Sequence, residues 1–73
     1  MKNWVKPFQG RLRKNVLRLA RQRKMTLEKM AVEADLTSSF VSQVLAGRSS
    51  ISLAALERIA VVLEVDITAL LKP

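Results

Sequence analysis

Apolar residues recur along this chain at three- and four-residue spacing, and no stretch alternates apolar with polar for long enough to suggest a sheet. Phe8, Leu12, Val16, Leu19 and Ala20 form one stripe, which predicts a first helix from about Phe8 or Gly10 to Lys24. Thr26 is a good N-cap for a short second helix, with Glu28 in its first turn at the positive end of the dipole. Leu27, Met30, Ala31 and Ala34 mark its inner face. Asp35 is expected to end it, because aspartate tolerates the left-handed conformation better than most residues. Leu36 then offers an apolar plug, and Thr37 can cap a third helix from about Ser38 to Ala46, closed by Gly47. Ser52 can cap a fourth, with Leu53, Leu56, Ile59, Ala60 and Leu63 at core spacing. Asp66 or Thr68 can start a last short turn carrying Ile67, Leu70 and Leu71. The pattern predicts an all-α domain of five short helices, with residues 1–9 as an N-terminal arm and 10–73 as a single domain.

Composition narrows the chemistry. One core is the most that 73 residues can fill, and without cysteine the fold must stand on apolar packing alone. The absence of both cysteine and histidine removes thiolate metal sites and catalysis by thiol or imidazole. The six acids are scattered, with no pair placed for acid–base work, so the chain reads as a non-enzyme without cofactor or metal. No apolar run approaches the ~20 residues of a membrane span. The start, from Met1 to Pro7, lacks the apolar stretch of a secretory signal, and a cytoplasmic location follows as the default.

The net charge of +7 points to a polyanionic partner, either nucleic acid or an anionic membrane surface. Its distribution is more informative than its size. Residues 1–24 hold nine basic residues and no acid, whereas residues 25–73 hold four basic and six acidic ones. On a helical wheel Arg11, Lys14, Arg18 and Arg21 oppose the apolar stripe, with Arg13 and Lys24 flanking. The first helix is therefore basic and amphipathic.

The third helix carries the most specific signal. Val41, Val44 and Leu45 face inward, with Phe40 on one shoulder. The other face carries Ser38, Ser39, Ser42, Gln43 and Ala46, four of which stand at i, i+3, i+4 and i+7. Solvated helix faces are usually crowded with Lys and Glu. This one is small and uncharged, and Ser and Gln can both donate to and accept from base edges. An ordinary exposed face without charge, or serines bonded back to their own helix, would give the same pattern.

Two short helices joined by a tight turn, with the small Ala31 where they approach, make a helix-turn-helix pattern over residues 26–47. This stretch resembles the XRE family, the Cro and phage-repressor type of helix-turn-helix. Matching features are Ala31, Leu36 in the turn, Ser39-Phe40-Val41-Ser42-Gln43-Val44, Gly47, and the later run through Leu53, Leu56, Ile59-Ala60, Leu63, Val65 and Leu70. The resemblance spans roughly residues 10–71. It implies a lambda-repressor-like domain that lays its third helix in the major groove of double-stranded DNA, usually as a homodimer on a palindromic operator.

Carried over by position, Ser38, Ser39, Ser42 and Gln43 are the expected base contacts, with Gln43 foremost because a carboxamide can make two bonds to adenine. Thr37, Arg48 and Ser49 are expected near phosphates, and so are Arg21, Arg23 and Lys24 at the end of the first helix. Arg23 also lies in the apolar arc, so an ion pair with Glu28 or Glu57 is its alternative. Arg11, Lys14 and Arg18 are left to act at longer range. Two positions depart from the family's pattern. Leu27 replaces the usual Gln and either packs inward with Met30 or touches a thymine methyl. Asp35 replaces the usual Gly and is expected to point away from DNA.

Val61, Val62, Val65, Ile67, Leu70 and Leu71 are more apolar residues than the C-terminal segment needs for its own inner face, which leaves either a generous core or a dimer interface. Trp4 and Val5 could cover the same surface or pack on the first helix. With no small-molecule effector evident, regulation would follow the protein's own concentration, as in phage Cro-like repressors and restriction–modification controller proteins. A DNA-binding antitoxin, acting also through protein–protein contact, is the alternative, although the short termini leave it little room. A membrane-surface peptide built on the basic first helix conflicts with the core of residues 26–71.

Overall fold

The computed structural model describes the backbone of residues 5–73 and the side chains from Gly10 onward. Trp4, and the side chains of Val5 and Phe8, lie outside the described residues. Four helices follow in order: α1 (Val5–Gln22), α2 (Leu27–Glu33), α3 (Ser38–Leu45) and α4 (Leu53–Leu63). The expected fifth helix is instead a short 3-10 turn over Ile67–Leu70. Its i→i+3 bonds, Ala69 N–H to Asp66 C=O and Leu71 N–H to Thr68 C=O, never relax into an α-helical ladder. Among the described residues there is no strand, and no helix is long and apolar enough to cross a membrane.

Helix starts follow side-chain capping. The Thr26, Thr37 and Ser52 hydroxyls accept from the N–H groups of Lys29, Phe40 and Ala55 at 3.0–3.1 Å. Each satisfies one amide that the first helical turn leaves without a backbone partner, worth about 1 kcal/mol. Asp66 does the same for Thr68 at 2.9 Å. The Thr68 N–H, and then its hydroxyl, hold the Asp66 carboxyl below its ordinary value. The first helix begins at Val5, earlier than Phe8 or Gly10, and takes Pro7 into its first turn. Proline is harmless there because that turn's N–H groups have no helical acceptor.

All four helices end alike. The N–H of Met25, Leu36, Arg48 and Val65 reaches back to the carbonyl of Ala20, Ala31, Gln43 and Ala60 respectively, at 2.8–3.0 Å. The residue before each donor is left-handed: Lys24 (φ 55°), Asp35 (φ 61°), Gly47 (φ 81°) and Glu64 (φ 57°). This is the Schellman closure, in which an apolar residue after the turn usually packs back on the helix. Met25, Leu36 and Val65 do so. Arg48 is the polar exception, and it is exposed.

The core joins Leu12, Val16 and Leu19 of α1, Met30 and Ala31 of α2, Val41 and Val44 of α3, and Leu56, Ile59 and Leu63 of α4. Leu12, Met30 and Leu63 are fully buried, each worth about 1.5–3 kcal/mol over an exposed side chain. Ala31 has no exposed surface, so its methyl sets how closely α2 and α3 approach. Leu70, expected at a dimer interface, has 0% exposure and belongs to this core, out of reach of any partner.

Asn15 and Arg58 fasten the elements through long-range hydrogen bonds. Asn15, 1% exposed, donates through Nδ2 to the Leu70 carbonyl at 3.0 Å and the Lys72 carbonyl at 2.8 Å, which ties the C-terminal segment to α1. Arg58 on α4 donates through Nε to the Ala34 carbonyl at 2.8 Å, capping the C-terminus of α2 from behind.

Candidate nucleic-acid interface

Burial divides α3 along its length. Val41, Val44 and Leu45 retain 1%, 3% and 8% of their exposure, whereas Ser38, Ser39, Ser42, Gln43 and Ala46 are all exposed. The face offered to solvent therefore holds three hydroxyls, one carboxamide and one methyl, without charge. Nothing on it forces a nearby surface to stand off, and its groups can donate or accept on base edges. The two faces separate because Phe40, Val41, Val44 and Leu45 share one side of a 3.6-residue repeat.

At the N-terminus of α3 the Thr37 oxygen is engaged by Phe40 N–H at 3.0 Å. No acid stands in its first turn, so the positive end of the helix dipole is left for an external anion. At the other end, the Gly47 turn brings the loop back over the helix. Ser49 Oγ donates to Gln43 Oε1 at 3.1 Å, while Arg48 extends into solvent.

Basic side chains flank this face, although not all those expected. Arg13 lines a shallow surface depression with Leu17, Leu27, Ser42, Leu45 and Ala46, which places a guanidinium from α1 beside the exposed face of α3. Sequence reading left Arg13 merely flanking the basic side; its membership of this surface comes from the crossing of α1 and α3. Arg21 and Lys24 line an adjoining depression with Leu17, Met25, Thr26 and Leu27. Arg23 is turned elsewhere. It pairs with Glu64, neither of the acids expected for it, and this ion pair joins the ends of α1 and α4. Arg18 Nη2 donates to Asn15 Oδ1 at 3.3 Å, on the side of the C-terminal segment.

Leu27 is half-buried and packs against the core, the first of its two expected alternatives. Its outer edge also lines both depressions, the one between α1 and α3 and the adjoining one between α1 and the start of α2. Asp35 is exposed and left-handed, which is where the family's glycine would fall.

A family model described as helix-turn-helix matches residues 17–70. The chain belongs to the XRE helix-turn-helix family. The matched span runs from the middle of α1 through the 3-10 turn and contains every element that presents the α3 face. As an XRE-family chain, the protein is a DNA-binding regulatory domain. Arg13 lies before the matched span, so its place beside the interface belongs to this chain's own geometry. No curated protein and no solved structure gave a match.

Proposed function

We propose that this protein is a sequence-specific transcriptional regulator that reads a palindromic operator as a homodimer and represses its own promoter. One observation carries the reading: the uncharged, hydrogen-bonding α3 face shares a depression with Arg13 and is followed by the exposed Arg48, while exposed Arg21 and Lys24 line the adjoining depression between α1 and the start of α2. In that arrangement Ser38, Ser39, Ser42 and Gln43 enter the major groove and face bases. The basic side chains, with Thr37 and Ser49, lie along the phosphates and fix register. Arg23 is a weaker candidate for phosphate because its charge is already met by Glu64.

The dimer reading rests on Val61, 74% exposed on α4, with Val62, Val65, Ile67 and Leu71 only partly covered. A second copy related by a two-fold axis would cover this strip and set the spacing of two α3 helices on the duplex. Self-repression suits such a protein because occupancy then tracks its own concentration through dimerisation.

Fluorescence anisotropy with labelled DNA from upstream of the protein's own gene, against random duplex over a salt series, tests the proposal. Specific binding should exceed random binding at every salt concentration. Arg13→Ala and Arg48→Ala should weaken all sequences alike and each reduce the salt slope by about 0.9. Equal affinity for both duplexes would remove sequence-specific regulation. Sedimentation that finds a monomer well above micromolar concentration would remove the dimer.

A further inference from the structure

We propose that the depression between α1 and the start of α2 binds a small anionic amphiphile, a free medium-chain carboxylate, whose occupancy excludes DNA. Binding of this ligand is independent of the DNA-reading proposal above; its exclusion of DNA rests on that proposal. Half-buried Leu17, Met25 and Leu27, with Ala20, form the floor, and exposed Arg21 and Lys24 stand at the edge with Thr26. The depression measures about 460 Å³, within the roughly 300–1,000 Å³ of small-molecule sites. No acid lines it.

The turn after α1 builds the site. The Met25 N–H closes on the Ala20 carbonyl at 2.9 Å, with Lys24 left-handed at φ 55° just before it. This closure lays Met25 against the core and leaves Lys24 in solvent. Leu17 and Leu27 also line the depression between α1 and α3, together with Leu45 and Ala46, so the apolar floor continues beside Ser42. The charges at the edge are uncommitted. Arg23 is paired with Glu64, whereas Arg21 and Lys24 have no acidic partner among the described residues.

Occupants differ in what they satisfy. A lone phosphate meets the cations and leaves the apolar floor wet. A neutral hydrocarbon covers the floor and leaves both charges unanswered. A carboxylate on an alkyl chain satisfies both, with its head between the Arg21 guanidinium and the Lys24 ammonium and its chain over Leu17 and Leu27 toward Ala46. The depression is open to solvent, so binding is weak, with a Kd on the order of 1 mM for a ten-carbon acid. The bound acid takes two cations proposed for phosphate and lies beside the reading face, where the duplex would have to sit.

Heteronuclear NMR titration with decanoate, kept below its micelle-forming concentration, tests the site in the wild type, Lys24→Glu, Leu27→Gln and Arg11→Glu, with helicity checked by circular dichroism. Wild-type shifts should saturate and centre on residues 17–27. Lys24→Glu should weaken binding about five- to thirtyfold; glutamate already takes the left-handed conformation at Glu64, so the turn accepts it. Leu27→Gln should weaken binding about threefold or more. Arg11→Glu makes the same charge change away from both depressions and should leave the affinity within about twofold. Butyrate, a head without the chain, should bind about tenfold more weakly or worse. In the anisotropy assay decanoate should displace duplex from the wild type where butyrate does not. Equal losses in Lys24→Glu and Arg11→Glu would reduce binding to attraction by net charge, and shifts centred on Val61 would move the ligand to α4; either overturns the site. Capture on anionic vesicles without a saturable response to decanoate would assign the groove to a membrane surface and overturn it too. Saturable binding that leaves the DNA complex intact would overturn the exclusion. A wild type that binds no duplex would remove the DNA-reading proposal and the exclusion with it, while the titration alone decides the ligand site.

Discussion

Asn15→Ala should be among the most damaging changes outside the apolar core. The side chain is 1% exposed and spends both amide protons on the C-terminal segment, on the carbonyls of Leu70 and Lys72. Truncation leaves the Leu70 carbonyl buried without a partner, a cost of about 1–3 kcal/mol. The Lys72 carbonyl is only part-buried and recovers water, so its loss is about 0.5–1.5 kcal/mol. A total of about 2–4 kcal/mol is a large share of the roughly 4–11 kcal/mol expected for a domain of this size. The midpoint of thermal unfolding should fall by about 10–25 °C. Urea melts followed by far-ultraviolet circular dichroism give the free energy, and hydrogen exchange at the Leu70 and Leu71 amides reports the segment itself. Asn15→Asp should be worse at neutral pH, because a carboxylate facing two carbonyl oxygens has no proton to give, and it should recover in part as acid protonates it. A loss under about 1 kcal/mol for Asn15→Ala, with the same amides still protected, would refute the tether.

Other changes have smaller and differently signed effects. Gly10→Ala should stabilise by about 0.5–1 kcal/mol in thermal melts, because a Cβ there meets nothing within 4 Å among the described residues and α1 loses an unfolded-state entropy cost. Arg58→Met should cost about 1–2 kcal/mol in urea by releasing the Ala34 carbonyl, and Arg58→Lys should not restore it fully, because lysine lacks the Nε–H geometry. Asp66 is held below its ordinary pKa by Thr68, so its contribution is complete above the unfolded value, near pH 4, and is lost as pH falls through the lower native value. Asp66→Asn should flatten that part of the acid-unfolding curve.

Features set by neighbouring residues were legible in the sequence, and those set across the fold were not. Thr26, Thr37 and Ser52 announce helix starts because capping is local, and Asp35 and Gly47 announce ends because their left-handed tolerance is intrinsic. Lys24 and Glu64 take the same conformation without any such signature; tertiary closure imposes it. Asn15 could have been found. It stands with Leu12, Val16 and Leu19 at helical spacing inside the apolar arc, and a polar residue there must find a partner. The partners themselves, 55 and 57 residues away, could not be read from spacing.

The candidate site divides in the same way. The uncharged α3 face follows from helical periodicity alone, and the structure exposes the residues that periodicity assigned to it. Arg13 beside Ser42, Arg23 on Glu64 and Ser49 on Gln43 depend on how helices cross or how a loop folds back. Leu70 misled because apolar character says that a residue will be buried without saying against what.

The left-handed turns at Lys24, Asp35 and Glu64 bear on how long the protein persists in a cell. Each holds a side chain where glycine would sit without strain, at about 1 kcal/mol apiece. A few kcal/mol withheld from a small domain raises its unfolded fraction, which proteases sample continuously, and a change of that size alters steady-state abundance several-fold. Under the self-regulation proposed above, rapid clearance would let the signal fade soon after synthesis stops. Glycine at the three turns would give a sturdier protein and a slower switch.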